Sequence, residues 1–239
     1  MTEWLVRLKG HQFDLEELAD HFISADRNVK KDQDGYHYLR SSEFKNLTDS
    51  EAVRERGSEL LRYMNGAMKL LFGPSYQAVE FDTVTRIEED GQRYHTVGSS
   101  IWIGGRSRAT IKPTLIRADG TVEDVPQATT KLNTLVALAN RSEKVADALR
   151  FYERGDWVNL YKAWEVVCDA AGGSHAVVNN GWAGELVRNR FTGTAQSRAE
   201  LGDEARHASE KYKAPENPMT LDEAQSFMRS VIQAWVATL

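Results

Sequence analysis

The pattern of apolar and polar positions changes character near Pro126. Before it, short apolar runs alternate with turn residues; after it, apolar residues recur every three or four positions. In the first part, Trp4-Leu-Val-Arg-Leu8 ends at Gly10 and predicts a strand. A helix is expected directly afterwards, with Asp14 as its cap, Glu17 completing a capping box, and Phe13 and Leu18 forming a hydrophobic staple. Asp34-Gly35, Asp90-Gly91 and Asp119-Gly120 each lie between apolar runs, and Asp-Gly suits the positive φ angles of tight hairpin turns. Strands are therefore expected on both sides of each turn, with another over Ser100–Ile103. Pro113 places its strand at an edge or a bulge. A long helix begins at a cap on Thr48 with Glu51 three residues on, carries Val53, Leu60, Leu61, Met64, Ala67, Met68 and Leu71, and stops at Gly73-Pro74. Its methionines read as core filling.

Beyond Pro126 the helical period dominates. Leu132, Leu135, Val136 and Ala139 mark one helix, and Val145, Ala148, Leu149 and Tyr152 a second. Gly155 interrupts, and Asp156 caps a third with the stripe Trp157, Leu160, Tyr161, Trp164 and Cys168. A shorter helix is expected over about 175–190, followed by a polar, breaker-rich segment from Thr192 to Pro218. Thr220 and Glu223 form a capping box for the last helix, whose apolar face is Phe227, Met228, Val231, Ile232 and Trp235. The predicted fold is α+β: an antiparallel sheet of six or seven strands with two helices over residues 1–125, then a helical bundle over 126–239.

Composition narrows the function classes. At 239 residues, with 41% hydrophobic and 27% charged residues, the chain can bury one large core or two smaller ones. A net charge of −5 argues against gripping nucleic acid by overall charge and leaves only a local basic patch. The lone Cys168 has no partner for an intrachain disulfide and is expected in the core. The absence of a leader-like start and of any run of about 18 apolar residues leads to the expectation of a soluble, cytoplasmic protein that does not enter a membrane.

Familiar catalytic motifs are missing. The chain has no His-Glu-x-x-His, no cysteine pair, no phosphate loop and no nucleophile elbow, and an EF-hand register on Gly35 puts Lys30 and Ser41 where carboxylates are needed. Gly104-Gly-Arg-Ser-Arg108 reads as a charged turn, and the scattered histidines imply no metal site. No cofactor is expected. What remains is the stretch from Asp156 to His207, which gathers Arg188-Asn189-Arg190, Arg198 and Arg206-His207. Arginine stays charged and matches phosphate geometry, while histidine titrates near neutrality; together these groups suit metal-free RNA cleavage. Arg206 and His207 are thus the candidate catalytic pair, and Asn189, Arg190 and Arg198 candidate ligand-binding residues. The plainer reading gives Arg206 a carboxylate partner and makes His207 a packing or capping residue.

The bundle with its Tyr161-Lys-Ala-Trp164 helix, its Arg/Asn/His segment and its closing amphipathic helix resembles the HEPN superfamily of bacterial defence and toxin proteins. Phe191-Thr-Gly-Thr-Ala195, Ala205-Arg-His-Ala208 and Asn217-Pro-Met-Thr-Leu-Asp-Glu-Ala224 also resemble the C-terminal part of a group of uncharacterised bacterial proteins. The resemblance implies a homodimer and RNA or a nucleotide as partner. Active members of the superfamily separate the arginine from the histidine by several residues, whereas here Arg206 directly precedes His207 and the next arginine upstream is Arg198. Two functions follow as expectations. One is metal-independent RNA or nucleotide binding or cleavage by the bundle. The other is a non-enzymatic sensor or assembly module that dimerises through the helical half and docks a protein partner on the sheet half, for example at Trp102.

Overall fold

A computed structural model describes residues 3–96, 129–206 and 213–239, with the backbone of 114–116, 122–124 and 127–128. The chain is α+β, as its patterning predicts. It forms two compact units, one of residues 1–62 with 76–134 and one of residues 63–75 with 135–239.

In the first unit, strand β1 (Glu3–Lys9) is followed by helix α1 (Gln12–His21), the hairpin β2 (Arg27–Lys31) and β3 (His37–Ser41), and then helix α2 (Ser50–Phe72). Strands β4 (Glu80–Ile87) and β5 (Arg93–Thr96) complete a five-stranded antiparallel sheet in the order β2-β3-β1-β4-β5. β1 is central: Leu5, Val6 and Leu8 are buried, and Val6 sits opposite both Leu39 and Val84. β6 (Thr114–Ile116) and β7 (Val122–Asp124) pair with each other as a separate two-stranded sheet, so the expected six or seven strands are divided between two sheets. The expected strand at 100–103, Trp102, the 104–108 turn, Pro113 and the Asp119-Gly120 turn lie outside the described residues.

The two described Asp-Gly turns share one geometry. Gly35 and Gly91 have φ of +83° and +82°, and among the described residues no other residue type has positive φ, so the glycine alone takes the left-handed conformation. Asp34 and Asp90 instead accept from the N–H two residues on, Tyr36 at 3.0 Å and Gln92 at 2.9 Å. Two helix starts also differ from expectation. His11 caps α1, accepting from Phe13 N at 3.3 Å, while Asp14 is buried and accepts from Gln77 N at 3.2 Å. Asp49 rather than Thr48 accepts from the first turn of α2, at Ala52 N and 2.9 Å.

The second unit takes the end of α2 and the second half of α3 (Gln127–Arg141), from Leu135 on, followed by α4 (Glu143–Arg154) and α5 (Trp157–Ala171). Ser142 caps α4 and Asp156 caps α5, and both helices end at left-handed glycines, Gly155 and Gly172. The expected helix over 175–190 is two helices, α6 (Ser174–Asn179) and α7 (Glu185–Gln196), divided by Gly181 and Gly184. The expected breaker-rich segment therefore begins later: α7 continues through Gly193 because Phe191, Thr194 and Ala195 are buried. After the one-turn α8 (Arg198–Leu201), helix α9 (Leu221–Val236) starts at the expected capping box of Thr220 and Glu223. Trp157, Tyr161, Trp164, Phe191 and Phe227 form an aromatic core with Phe191 at its centre. No helix among the described residues is long and apolar enough to cross a membrane.

Candidate functional site

The polar residues that cluster in sequence around α7 are held by different partners. Arg190 donates from Nε to Asn217 O at 2.6 Å and from Nη2 to Pro218 O at 3.1 Å and Glu223 Oε2 at 2.8 Å. It thereby ties α7 to the start of α9 through three acceptors. The Glu223 carboxyl is held below its usual range, first by the Thr220 N–H and then by the Arg190 guanidinium. Arg206 pairs with Glu165 on α5 and lies 4.4 Å over the Tyr161 ring, while its N–H donates to Ala195 O at 2.9 Å. Arg198 faces Asp203 at 3.7 Å, and Asn189 is exposed on α7. His207 lies outside the described residues. A carboxylate partner for Arg206 is the arrangement of the plainer reading, although the partner comes from another helix.

Cys168 is half-buried, and burial pushes its thiol up to about 12 against the opposing pull of Arg188. It therefore remains a thiol at neutral pH and supplies no thiolate nucleophile. No cluster of metal-ligating side chains occurs among the described residues.

What the elements do build is a groove of about 570 Å³ between the α6–α7 connection, α7 and α9. Trp182, Val187, Met219 and Phe227 give it an apolar lining, and Arg190, Asp222 and Glu223 line it with both signs of charge. Beside it Leu186 is 84% exposed and Val187 45% exposed. Two adjacent apolar side chains on the first turn of a surface helix are unusual, and no described residue covers them. Sequence patterning passes over this feature: Leu186-Val187 reads as an ordinary helical pair until the direction of α7 shows that Phe191 and Ala195 are its inward residues. No protein-family model, curated protein or solved structure matches this chain.

Proposed function

We propose that the chain is a non-enzymatic assembly module that self-associates through its helical unit. The observation that carries this reading is Leu186, an apolar side chain 84% exposed on the helix that also supplies a wall of the groove. A projecting apolar residue beside an apolar hollow is self-complementary: across a two-fold axis each copy inserts its Leu186 into the other's groove. Burying one leucine contributes roughly 1.5–3 kcal/mol, and two-fold symmetry realises that gain twice. In the same reading the sheet unit receives a protein partner, and Ile23, Tyr36 and Tyr94 are among the exposed apolar residues of that unit.

Sedimentation equilibrium tests the association. The wild-type chain is expected to be a dimer and Leu186→Glu a monomer with the same helix content, its unfolding midpoint lower only by the dimer's own contribution and independent of protein concentration. A monomeric wild type, or a variant that dimerises equally well, removes the proposal.

A second reading, metal-independent binding or cleavage of RNA or a nucleotide by a HEPN-like bundle, is supported by the partial exposure of Arg206. Its side chain is 33% exposed immediately before His207. Here Arg206 exchanges Glu165 for a phosphate and His207 acts as acid or base. On this reading the wild type cleaves a fluorescent single-stranded RNA in the presence of chelator, and His207→Ala abolishes cleavage without loss of fold. Equal rates for the two proteins retire the catalytic role.

A further inference from the structure

Arg229, on α9, differs from the arginines considered above: it has no carboxylate partner among the described residues. Its Nε donates to Leu70 O at 2.7 Å and its Nη2 to Leu71 O at 2.5 Å, two carbonyls that α2 leaves open in its last turn. Nη1 makes no hydrogen bond to a described residue. It stands 3.4 Å from the place a β-carbon would occupy on Gly73, which closes α2 with φ of +84°.

This guanidinium lines a cavity of about 190 Å³ together with Tyr152, Gln225, Ser226, Ser230 and Gln233. Tyr152 is 1% exposed, yet its hydroxyl has no hydrogen-bond partner among the described residues. The hydroxyl is not one of the sealed, unpartnered side-chain atoms among the described residues, so it is open to the cavity and free to meet a ligand there. Its neighbours are engaged elsewhere. Gln225 donates its amide to Gly155 O at 2.9 Å, Gln233 donates to Leu70 O at 3.0 Å, and Ser230 donates to Ser226 O at 3.1 Å. The cavity therefore contains an uncommitted Arg229 Nη1, an uncommitted phenol and the Ser226 hydroxyl, with no carboxylate in its lining.

We infer that this cavity binds a small oxyanion, the phosphoryl or carboxylate group of a metabolite-sized ligand, between Arg229 Nη1 and the Tyr152 hydroxyl. The guanidinium supplies a permanent positive charge and N–H donors. The phenol supplies a neutral O–H donor throughout the physiological range, since burial pushes it up to about 12 although Arg229 opposes the shift. A void of this size exceeds the roughly 30 Å³ that one water occupies in the liquid, so the oxyanion can bring several further atoms with it. The carbonyl oxygens of Gln225 and Gln233 remain available to accept from hydroxyl or amine groups on those atoms. The site shares Ser226 and Ser230 with the α7 groove, but Arg229 and Tyr152, the two donors that define it, do not line that groove.

The test is titration of the full chain with inorganic phosphate and, separately, with sodium acetate, read by calorimetry and by unfolding midpoint. Tyr152→Phe is the informative variant: the fold makes no use of the hydroxyl, whereas Arg229 also holds the end of α2. Saturable binding of at least one probe to the wild type is expected. Tyr152→Phe should weaken it by roughly ten- to a hundredfold, the value of a hydrogen bond to a charged group, while leaving the ligand-free midpoint unchanged. Phosphate binding alone would assign a phosphoryl ligand, and acetate binding would assign a carboxylate. Failure of both probes to saturate, or equal binding by the variant, overturns the inference. General salt stabilisation acts on both proteins alike and is removed by that comparison.

Discussion

Replacing Gly66 by alanine is expected to destabilise the helical unit by about 3 kcal/mol or more. Gly66 lies in the part of α2 that packs against α4, and an added β-carbon would stand 2.2 Å from Leu149 O and 2.6 Å from its carbonyl carbon. Both are backbone atoms, so no rotamer change relieves the overlap. The two helices would have to separate by roughly 1 Å, in an interior packed at the density of an organic crystal. Met64, Ala67, Met68, Val145 and Ala148 are all fully buried in the helices that must part, so each loses contacts as they do. Alanine's intrinsic helix preference returns about 1 kcal/mol. Overpacking of a side chain costs about 1–3 kcal/mol and more where the obstacle is rigid, so a net loss of about 3 kcal/mol or more is expected. Against a total stability of about 5–15 kcal/mol, that loss moves a urea midpoint far outside experimental error. A midpoint equal to wild type would show that α2 and α4 do not approach this closely at Gly66.

The importance of Gly66 is hidden in the sequence, where it is one glycine in an apolar helical run. Local chemistry predicts local structure well here. The caps on Asp156 and Thr220, the stop at Gly73-Pro74 and the hairpins at Gly35 and Gly91 depend on groups within a few residues of one another. Prediction fails where a distant group takes over. Asp14 has the makings of a helix cap, but Gln77, 63 residues away, uses its carboxylate and leaves the cap to His11. The apolar period of α2 correctly indicates a buried face, yet it cannot say that residues 50–62 serve one compact unit and 63–72 the other. The candidate site is subject to the same limit. Arginines 190 and 206 are close in sequence, while their carboxylates come from residues 223 and 165, and no spacing rule reveals that exchange. The apolar groove and the Tyr152–Arg229 cavity likewise draw their walls from separate helices.

Phe191→Ala carries the second large effect, and it separates the core role of α7 from its proposed surface role. Phe191 is fully buried, with ring centroids 5.0 Å from Phe227, 6.1 Å from Trp164 and 6.2 Å from both Trp157 and Tyr161. Removing such a ring costs about 3–5 kcal/mol, and the rigid aromatic walls cannot easily collapse into the space. α7 has little else to hold it: it has 12 residues, includes Asn189, Thr192, Gly193 and Thr194, and isolated helices of this length are marginal in water. Two further attachments depend on its position. Thr194 Oγ1 accepts from Met219 N at 3.0 Å, and Arg190 holds Asn217 and Pro218, so release of α7 also frees the lead into α9. Loss of near-ultraviolet dichroism and a large fall in unfolding midpoint are expected together, with any dimer lost as a consequence. Leu186→Glu, five residues earlier on the same helix, should instead dissociate the dimer, keep the near-ultraviolet dichroism and lower the midpoint only by the dimer's own contribution. If Phe191→Ala keeps wild-type stability, the aromatic cluster does not anchor α7. If Leu186→Glu lowers the midpoint as far as Phe191→Ala does, the exposed turn belongs to the fold and the self-association reading loses its basis.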